Sequence, residues 1–442
     1  MKINTSFNFN LSLDHILTWF IPFLFAMLVI FDFPPNIRRA DYSLLGNTVI
    51  NGLVVLFFCI TVVYFFKRFQ WSIRNILACL FVVVFFVCQA VHTYSGESQF
   101  SISAALTAVL ICEFLLLDAS SKVKVFHYFR RIMVVLLLIG ILVYGMRMLL
   151  GTEPFEKAVF YSRALAAHGH YYLHLGHFYI LEGAYVSRLC GPFNEPGVVG
   201  TFAALLLIAD QFKLRKIGNL ILLVAGVLSF SLAFFILCAG YVVVAAITEK
   251  RKDLLALLMI GLFLLMFLLP YLRAVNPVVD ELAARFEISG DGLAGDNRTN
   301  RVYDAFFARY MLTEERWLGL GTEASRWFGP TSSYKDLIIE YGLVGFACLM
   351  LGLLLFPMAG KWGERKCIYF VLLFLISIYQ RPSVMTLSYM ALLFGGVEYI
   401  FAGSRGMAEV NEHEVESDAS DFRHESGRCT AHCSGLSKAP EG

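Results

Sequence analysis

The sequence predicts an all-α, polytopic membrane protein of about 12 transmembrane helices with two external loops. The composition supports this: 58% of the residues are hydrophobic and 16% are charged, with a mean hydropathy of +0.67. Soluble domains have about a quarter charged residues. Apolar stretches such as Ile132–Leu150 are long enough to cross about 30 Å of hydrocarbon as helices. A polar segment, residues 273–335, interrupts them and forms the larger external loop.

Each predicted span is helical, because lipid offers the backbone no hydrogen bonds. The spans lie near residues 16–32, 48–66, 75–92, 101–118, 132–150, 196–209, 218–231, 232–248, 253–272, 336–357, 366–380 and 383–402. They define a transmembrane domain over residues 1–402, followed by a disordered cytoplasmic tail over residues 403–442. We expect the first apolar segment to be a retained helix, since no small-residue cleavage site follows it.

Lysine and arginine concentrate in alternate loops, and this sets the predicted orientation. The basic clusters lie near residues 67–74, 122–131, 213–216, 250–252 and 361–366. Positively charged loops stay in the cytoplasm, so both termini are predicted to be cytoplasmic. The loops 151–195 and 273–335 are then external. The net charge of +2 suggests no nucleic-acid partner.

The external loop 273–335 is rich in arginine and has a single lysine, Lys335. Its arginines are Arg273, Arg285, Arg298, Arg301, Arg309, Arg316 and Arg326. A guanidinium group binds phosphate oxygens bidentately and keeps its charge at every relevant pH. The pattern therefore favours binding of an anionic lipid head group. Ion pairing with acidic neighbours such as Asp296 and Asp304 is the alternative.

The segment Arg188-Leu-Cys-Gly-Pro-Phe-Asn-Glu-Pro-Gly197 lies at the outer mouth of the sixth span. Its glycines and prolines prevent a regular helix. At membrane depth, irregular backbone is tolerated only where it lines a cavity or is buried in protein. Two interpretations follow for the charged residues. Arg188 and Glu195 form a salt bridge that holds the turn, or Arg188 binds phosphate and Glu195 acts as a general base on a sugar hydroxyl.

Two further features lie around the tenth span. Trp317-Leu-Gly319-Leu-Gly321 predicts a glycine turn whose backbone N–H groups approach a ligand closely. Glu340 is predicted about one turn inside the span, and intramembrane carboxylates usually mark functional sites. Bonding of Glu340 to Tyr341 or to a neighbouring helix is the structural alternative.

A histidine-rich segment occupies the first external loop. At helical spacing His170, His174 and His177 share one face, and tyrosines surround them. This pattern predicts a helix at the membrane surface. We predict no metal site, because no cysteine or carboxylate lies among the histidines. Binding of an acceptor glycan by His170 and His174 is the functional alternative.

The cysteines and the intramembrane charges give little indication of function. Most of the ten cysteines lie within spans, and only Cys190 is predicted to be external, so no disulfide framework is expected. Glu113 and Arg147 are among the few charges inside the spans. A transporter is expected to place charges along an intramembrane path, so this distribution favours chemistry at the surface.

Five short motifs follow one another along residues 130–400. They are Arg188-Leu-Cys-Gly191-Pro-Phe193-Asn-Glu195-Pro196, Ser229-Phe-Ser231, Arg301-Val-Tyr303, Gly319-Leu-Gly321 and Glu340-Tyr-Gly342-Leu-Val-Gly345. In this order they resemble the bacterial O-antigen polymerase and O-antigen ligase superfamily. Ligases of that family usually have a His-Asn pair before the last motif. This chain has Thr331-Ser332 there, which favours a polymerase.

The resemblance implies a GT-C-like membrane glycosyltransferase of the bacterial inner membrane. Its substrate would be undecaprenyl-diphosphate-linked oligosaccharide, polymerised into O-antigen, capsule or exopolysaccharide at the periplasmic face. No cofactor and no metal are expected, because the lipid diphosphate is itself a good leaving group. Membrane lipid is an expected partner, and a chain-length regulator is left open. The alternatives are an O-antigen ligase acting on lipid A core and a lipid-linked oligosaccharide transporter.

The predicted mechanism assigns residues to two roles. Arg188, Arg298 and Arg301 hold the diphosphate and neutralise its developing charge. Glu195 is the first choice for the general base, ahead of Asp296 and Glu323. The predicted substrate-binding residues are Arg285, Gly319, Gly321, Glu323, Glu340, His170 and His174.

Overall fold

A computed structural model describes residues 13–32, 44–96, 101–158, 171–183, 186–250, 252–263, 267, 271, 273, 280, 288–289, 292–293, 301–328 and 333–406. Within these residues the chain is mostly helical. The helices are α1 (Leu13–Asp32), α2 (Leu44–Phe65), α3 (Ile73–Val91), α4 (Ile102–Leu116), α5 (Ala119–Leu150), α6 (Pro196–Ala209), α7 (Ile217–Leu228), α8 (Leu232–Thr248), α9 (Lys252–Phe263), α10 (Arg301–Tyr310), α11 (Tyr334–Met358), α12 (Arg365–Ser377) and α13 (Leu387–Ser404).

Four of these helices, α3, α5, α11 and α13, are long and apolar enough to cross a membrane. Shorter apolar helices, including α4, α6, α7 and α8, accompany them. Their outer surface is also apolar, with Ile73, Val91 and Leu149 between 69% and 86% exposed. Monomeric soluble proteins rarely expose such continuous apolar surface. These observations support a membrane protein, while the number of crossings stays a prediction.

Helix α6 lies at the centre of the helical body. All of its residues are buried, and it packs against α7, α8, α12, α13 and the strand that precedes it. A helix that is hydrophobic on every side needs such complete enclosure. Its bounds match the predicted span 196–209. The two short helices predicted to meet at Ser229-Phe-Ser231 are also present, as α7 and α8.

The all-α prediction is incomplete, because the first of the two predicted external loops contains a β-sheet. Four antiparallel strands pair in sequence order: β1 (Glu156–Ala158), β2 (Tyr171–Leu175), β3 (Phe178–Glu182) and β4 (Ser187–Gly191). Two further short strands, β5 (Ile288–Ser289) and β6 (Gly292–Leu293), pair with each other. The sheet packs on α5 and on the start of α6 through β4.

The predicted surface helix over the histidines is wrong in its described part. His174 lies in β2, and His177 lies in the two-residue turn to β3. Gly176 supplies a φ of +60° in that turn, which suits a tight hairpin. The side chains of Tyr172 and Leu173 are buried in the sheet. The helical spacing of the histidines was therefore accidental, and the aromatic residues around them belong to strands.

Helix α5 begins earlier than predicted. The predicted span 132–150 extends back to Ala119, so the basic segment 122–131 is helical rather than a loop. Lys122 and Arg130 are buried within it. Lys122 Nζ donates to the carbonyl of Leu115 at 2.8 Å, where α4 ends.

The helical body has two chemically different ends. We call the "sheet end" the one formed by the sheet and the N-termini of α6 and α11. We call the "basic end" the one where α6 and α13 end and α5 begins. At the basic end Arg130 Nη2 donates to Asp210 at 2.9 Å and to Asn219 at 2.6 Å.

A second buried ion pair also lies at the basic end. Lys361 Nζ is 2.8 Å from Glu398 Oε1, and their side chains are only 7% and 10% exposed. Charges that the sequence assigned to loops thus hold helices together.

Candidate functional site

The chain passes from β4 into α6 through a tight turn at the sheet end. Gly191 has a φ of +58°, a conformation that favours glycine. Pro196 is the first residue of α6, where a missing N–H costs nothing. Glu195 therefore immediately precedes the helix, and its carboxylate lies near the N-terminus of α6.

The break between α7 and α8 lies directly beside this turn. Phe230 at its centre has a φ of +45°. A Cβ atom on Gly200 of α6 would be 2.3 Å from Cβ of Ser231, so only glycine permits this approach. The close packing brings the carbonyl groups of the break within reach of β4.

Arg188 of β4 binds the break. Its Nε donates to the carbonyl of Ser229 at 3.1 Å, and its Nη2 donates to the carbonyl of Phe230 at 3.3 Å. The last carbonyls of a helix lack internal partners, so a guanidinium group is stabilising there. Arg188 is half-buried and therefore ties the sheet to the end of α7. The predicted role of Arg188 in binding phosphate is an addition to this structural one.

Glu195 forms an ion pair with Arg381, a residue that the sequence analysis passed over. Arg381 Nη1 is 2.6 Å from Glu195 Oε2. The arginine side chain is 11% exposed and the carboxylate 47%. Nε and Nη2 of Arg381 are buried and have no hydrogen-bond partner among the described residues. Most buried polar groups are paired, so two open donors on one guanidinium group require an explanation.

The position of Arg381 in the sequence could have marked it as a candidate site residue. The residue lies in the short connection between the predicted spans 366–380 and 383–402, which the predicted topology places outside. Basic residues are disfavoured in short external loops. An arginine at such a position therefore indicates a local need for positive charge.

The glycine turn packs against a break in α11. Gly342 of α11 has a φ of +69°, and a Cβ there would be 2.3 Å from the carbonyl oxygen of Trp317. Gly319 N donates to the carbonyl of Glu315 at 2.7 Å, and Gly321 N donates to that of Glu340 at 3.1 Å. The N–H groups of both turn glycines thus bind protein carbonyls, and the glycines allow two backbones to touch.

Two predicted site carboxylates lie beside this contact. Ser325 Oγ donates to Glu340 Oε1 at 2.8 Å, so this carboxylate has a structural partner that the sequence analysis did not name. Glu323 is half-buried and has a φ of +72°. A positive φ is uncommon for a residue with a side chain.

Helix α10 connects the larger loop to the site region. Tyr303 donates to Asp336 of α11, and Lys335 Nζ is 2.7 Å from Asp304. Arg301 is the exposed first residue of α10.

Contacts of Tyr334 link the start of α11 to the segment that contains Arg381. The backbone N–H of Tyr334 donates to the carbonyl of Tyr379 at 3.4 Å, and the two rings stack with centroids 5.2 Å apart. Tyr379 is separated from Arg381 by a single residue. Arg301, Arg381, Glu195 and Arg188 therefore belong to the same end of the helical body.

Arg147, one of the intramembrane charges, has a structural role. Its Nε and Nη2 bind both oxygens of Glu182 at 2.9 and 3.1 Å. Ser187 Oγ donates to the same carboxylate at 2.8 Å, and Tyr144 donates to the carbonyl of Ser187 at 2.9 Å. This cluster anchors β3 and β4 to α5.

Several predicted residues lie outside the described part of the chain. These are Arg285, Arg298 and His170. His174 stacks on Tyr179 with ring centroids 5.3 Å apart. No group of three or more potential metal ligands occurs among the described residues.

Cys190 does not have the properties of a nucleophile. It is completely buried in β4. Burial raises the pKa of its thiol to about 12. A reactive cysteine needs an accessible thiolate, so Cys190 is a packing residue of the sheet.

The arrangement at the mouth of α6 suits an oxygen-rich anion. Arg381 has two buried donors that lack an acceptor among the described residues, Arg188 lies on the adjacent strand β4, and Glu195 is half-exposed. No known protein family, curated protein or solved structure matches this chain.

Proposed function

We propose that this chain is a membrane glycosyltransferase that polymerises oligosaccharide repeat units carried on undecaprenyl diphosphate. The observation that carries the proposal is Arg381, whose buried Nε and Nη2 have no acceptor among the described residues. A diphosphate supplies the planar oxygen pairs that a guanidinium group binds best. The order of motifs along the sequence supports the same substrate class.

In the proposed reaction the arginines act on the leaving group. Arg381 and Arg188, with Arg298 and Arg301 from the larger loop, bind the diphosphate and stabilise its charge as the glycosidic C–O bond breaks. Glu195 orients Arg381 through their ion pair. Glu195 is also our first choice for the group that takes the proton from the acceptor hydroxyl, since nearly half of its side chain is exposed. The polymerase would act at the periplasmic face of a bacterial inner membrane.

Arg381→Lys tests this function. Lysine keeps the charge but loses the planar donor fork, so the rate should fall by about 10²–10³. The length distribution of surface glycan in cells that depend on the variant gives the readout. Arg309→Lys is the matched control, because Arg309 is an exposed arginine in the last turn of α10. Both variants must reach the membrane in normal amounts.

The glycan phenotype separates the alternatives. Retention of a single repeat on its final acceptor, with loss of longer chains, supports the polymerase. Loss of all glycan from lipid A core identifies a ligase. Accumulation of unpolymerised lipid-linked units on the cytoplasmic side identifies a transporter. Normal chain length in Arg381→Lys, Arg188→Lys and Glu195→Gln would reject the proposed site.

A further inference from the structure

Glu113 of α4 is a buried carboxyl group that the proposed function does not use. The residue is 4% exposed and lies three residues before the end of an apolar helix. Neither Oε1 nor Oε2 has a hydrogen-bond partner among the described residues. Leaving an ionised carboxylate unpaired in such surroundings costs many kcal/mol, and such groups become neutral instead. Intramembrane ionisable residues are usually functional.

Among the described residues, no unpaired cation lies beside Glu113. Thr61 of α2 faces the carboxyl group, but its hydroxyl already donates to the carbonyl of Phe58 at 2.9 Å. Lys122, the nearest basic residue along the chain, donates to the carbonyl of Leu115. On the α3 side the neighbouring groups are the thiols of Cys79 and Cys112, which face each other's carbonyl groups.

The other helices that contact α4 also bring no unpaired positive charge to Glu113 in the described part of the chain. Helix α1 contributes the ring of Phe25, which stacks on Phe114. The start of α13 also contacts α4, and the ring of its Tyr389 packs against Phe202 and Phe374. The ammonium of Lys361 is paired with Glu398 at 2.8 Å. Lys122 and Lys361 therefore each bind an acceptor other than Glu113.

We propose that Glu113 is a proton-binding site inside the membrane. The bound proton makes the carboxyl group neutral and gives it the O–H that its surroundings lack. In the proposal Thr61 Oγ1, which lies beside the carboxyl group and donates its own proton to the carbonyl of Phe58, accepts that O–H. The ligand is a proton rather than a metal ion, since no cluster of metal-ligand side chains accompanies the residue in the described part of the chain. This site lies apart from the proposed diphosphate site and does not depend on it.

A lipid-soluble carbodiimide tests the proposal on the full-length protein in liposomes. The reagent takes the carboxyl proton on nitrogen, the carboxylate oxygen adds to its central carbon, and rearrangement leaves a stable N-acylurea without a leaving group. Peptide mass spectrometry should find the adduct on Glu113 at neutral pH. The yield should fall by about tenfold per pH unit once the carboxyl group ionises.

Glu398 is the internal control, because it is also buried, at 8% exposure, but is paired with Lys361 at 2.8 Å. Modification of Glu398 as extensive as that of Glu113, or a Glu113 yield that does not change with pH, would overturn the proposal.

Glu113→Gln provides an independent measurement. Glutamine imitates the neutral acid, so the variant should fold with an unchanged melting temperature at neutral pH. Its infrared spectrum should lack one protonated-carboxyl C=O band that the wild type shows. If the wild type and the variant have identical bands, Glu113 is ionised and the inference is wrong, whether or not the carbodiimide reaches it.

Discussion

Buried charged side chains are paired differently at the two ends of the helical body. At the basic end Asp210 accepts from Arg130 and Asn219, and Tyr399 and Lys216 lie 3.3 and 3.6 Å from its other oxygen. Nη2 of Arg130 makes two hydrogen bonds, and its buried Nε lacks an acceptor among the described residues. At the sheet end Arg381 leaves two donors open next to a half-exposed carboxylate. The ion-paired clusters at the basic end hold helices together, whereas Arg381 keeps two buried donors in reserve beside a half-exposed carboxylate.

The largest expected effect tests the basic end. Asp210→Asn removes the charge that compensates Arg130 inside the protein, and breaking a buried ion pair in this way costs about 3–5 kcal/mol. We expect loss of most folded protein, measured by size-exclusion chromatography and thermal unfolding in detergent. Glu249→Gln, a half-exposed carboxylate at the end of α8, should have no measurable effect. A fully stable Asp210→Asn variant would show that the cluster contributes nothing to the fold.

The second prediction concerns the sheet end, where two backbone segments pack closely together. Gly342→Ala combines a φ of +69° with a Cβ 2.3 Å from the carbonyl oxygen of Trp317. The expected loss is at least about 2 kcal/mol in the free energy of unfolding. Gly145→Ala in α5 is the matched control, because its Cβ would meet no atom within 4 Å. That variant should be neutral or slightly stabilising. Equal effects of the two substitutions would contradict the proposed packing.

The smallest expected effect concerns the chemical modification of Cys190 in the sheet. Cys190 should resist N-ethylmaleimide in the folded protein, because it is buried and its pKa is raised to about 12. Because the thiol stays protonated in this range, raising the pH from neutral to mildly alkaline should not increase its modification. Cys190 should react fully once the protein is unfolded in sodium dodecyl sulfate, which provides the control. Mass spectrometry of the labelled peptides measures both. Rapid labelling of Cys190 would mean that β4 is not packed as described.

The sequence predicted most helices because length and apolarity alone determine them. The span 196–209 matches α6, and the break at Ser229-Phe-Ser231 is present, since both follow from local composition. The sheet was missed because three histidines happened to occur at helical spacing within alternating aromatic residues. The start of α5 was misplaced because its basic residues were treated as a loop.

The site was only partly predictable. Arg188 and Glu195 were chosen because glycine and proline marked an irregular turn, and both lie at the mouth of α6. Their partners are distant in sequence, as with Arg381 and the carbonyls of Ser229 and Phe230. A single sequence does not contain such pairings. The same holds for Arg130 and Asp210, which are 80 residues apart.

The length of α6 has a consequence for how a carrier lipid would be handled. Fourteen residues of α-helix extend about 21 Å, whereas the hydrocarbon layer is about 30 Å thick. At least one end of this enclosed helix must therefore lie beneath the plane of the head groups. If that end is the one that begins after Glu195, a phosphorylated isoprenoid would meet its cationic partners while its tail stays in the leaflet. The enzyme would then not have to lift its substrate out of the bilayer.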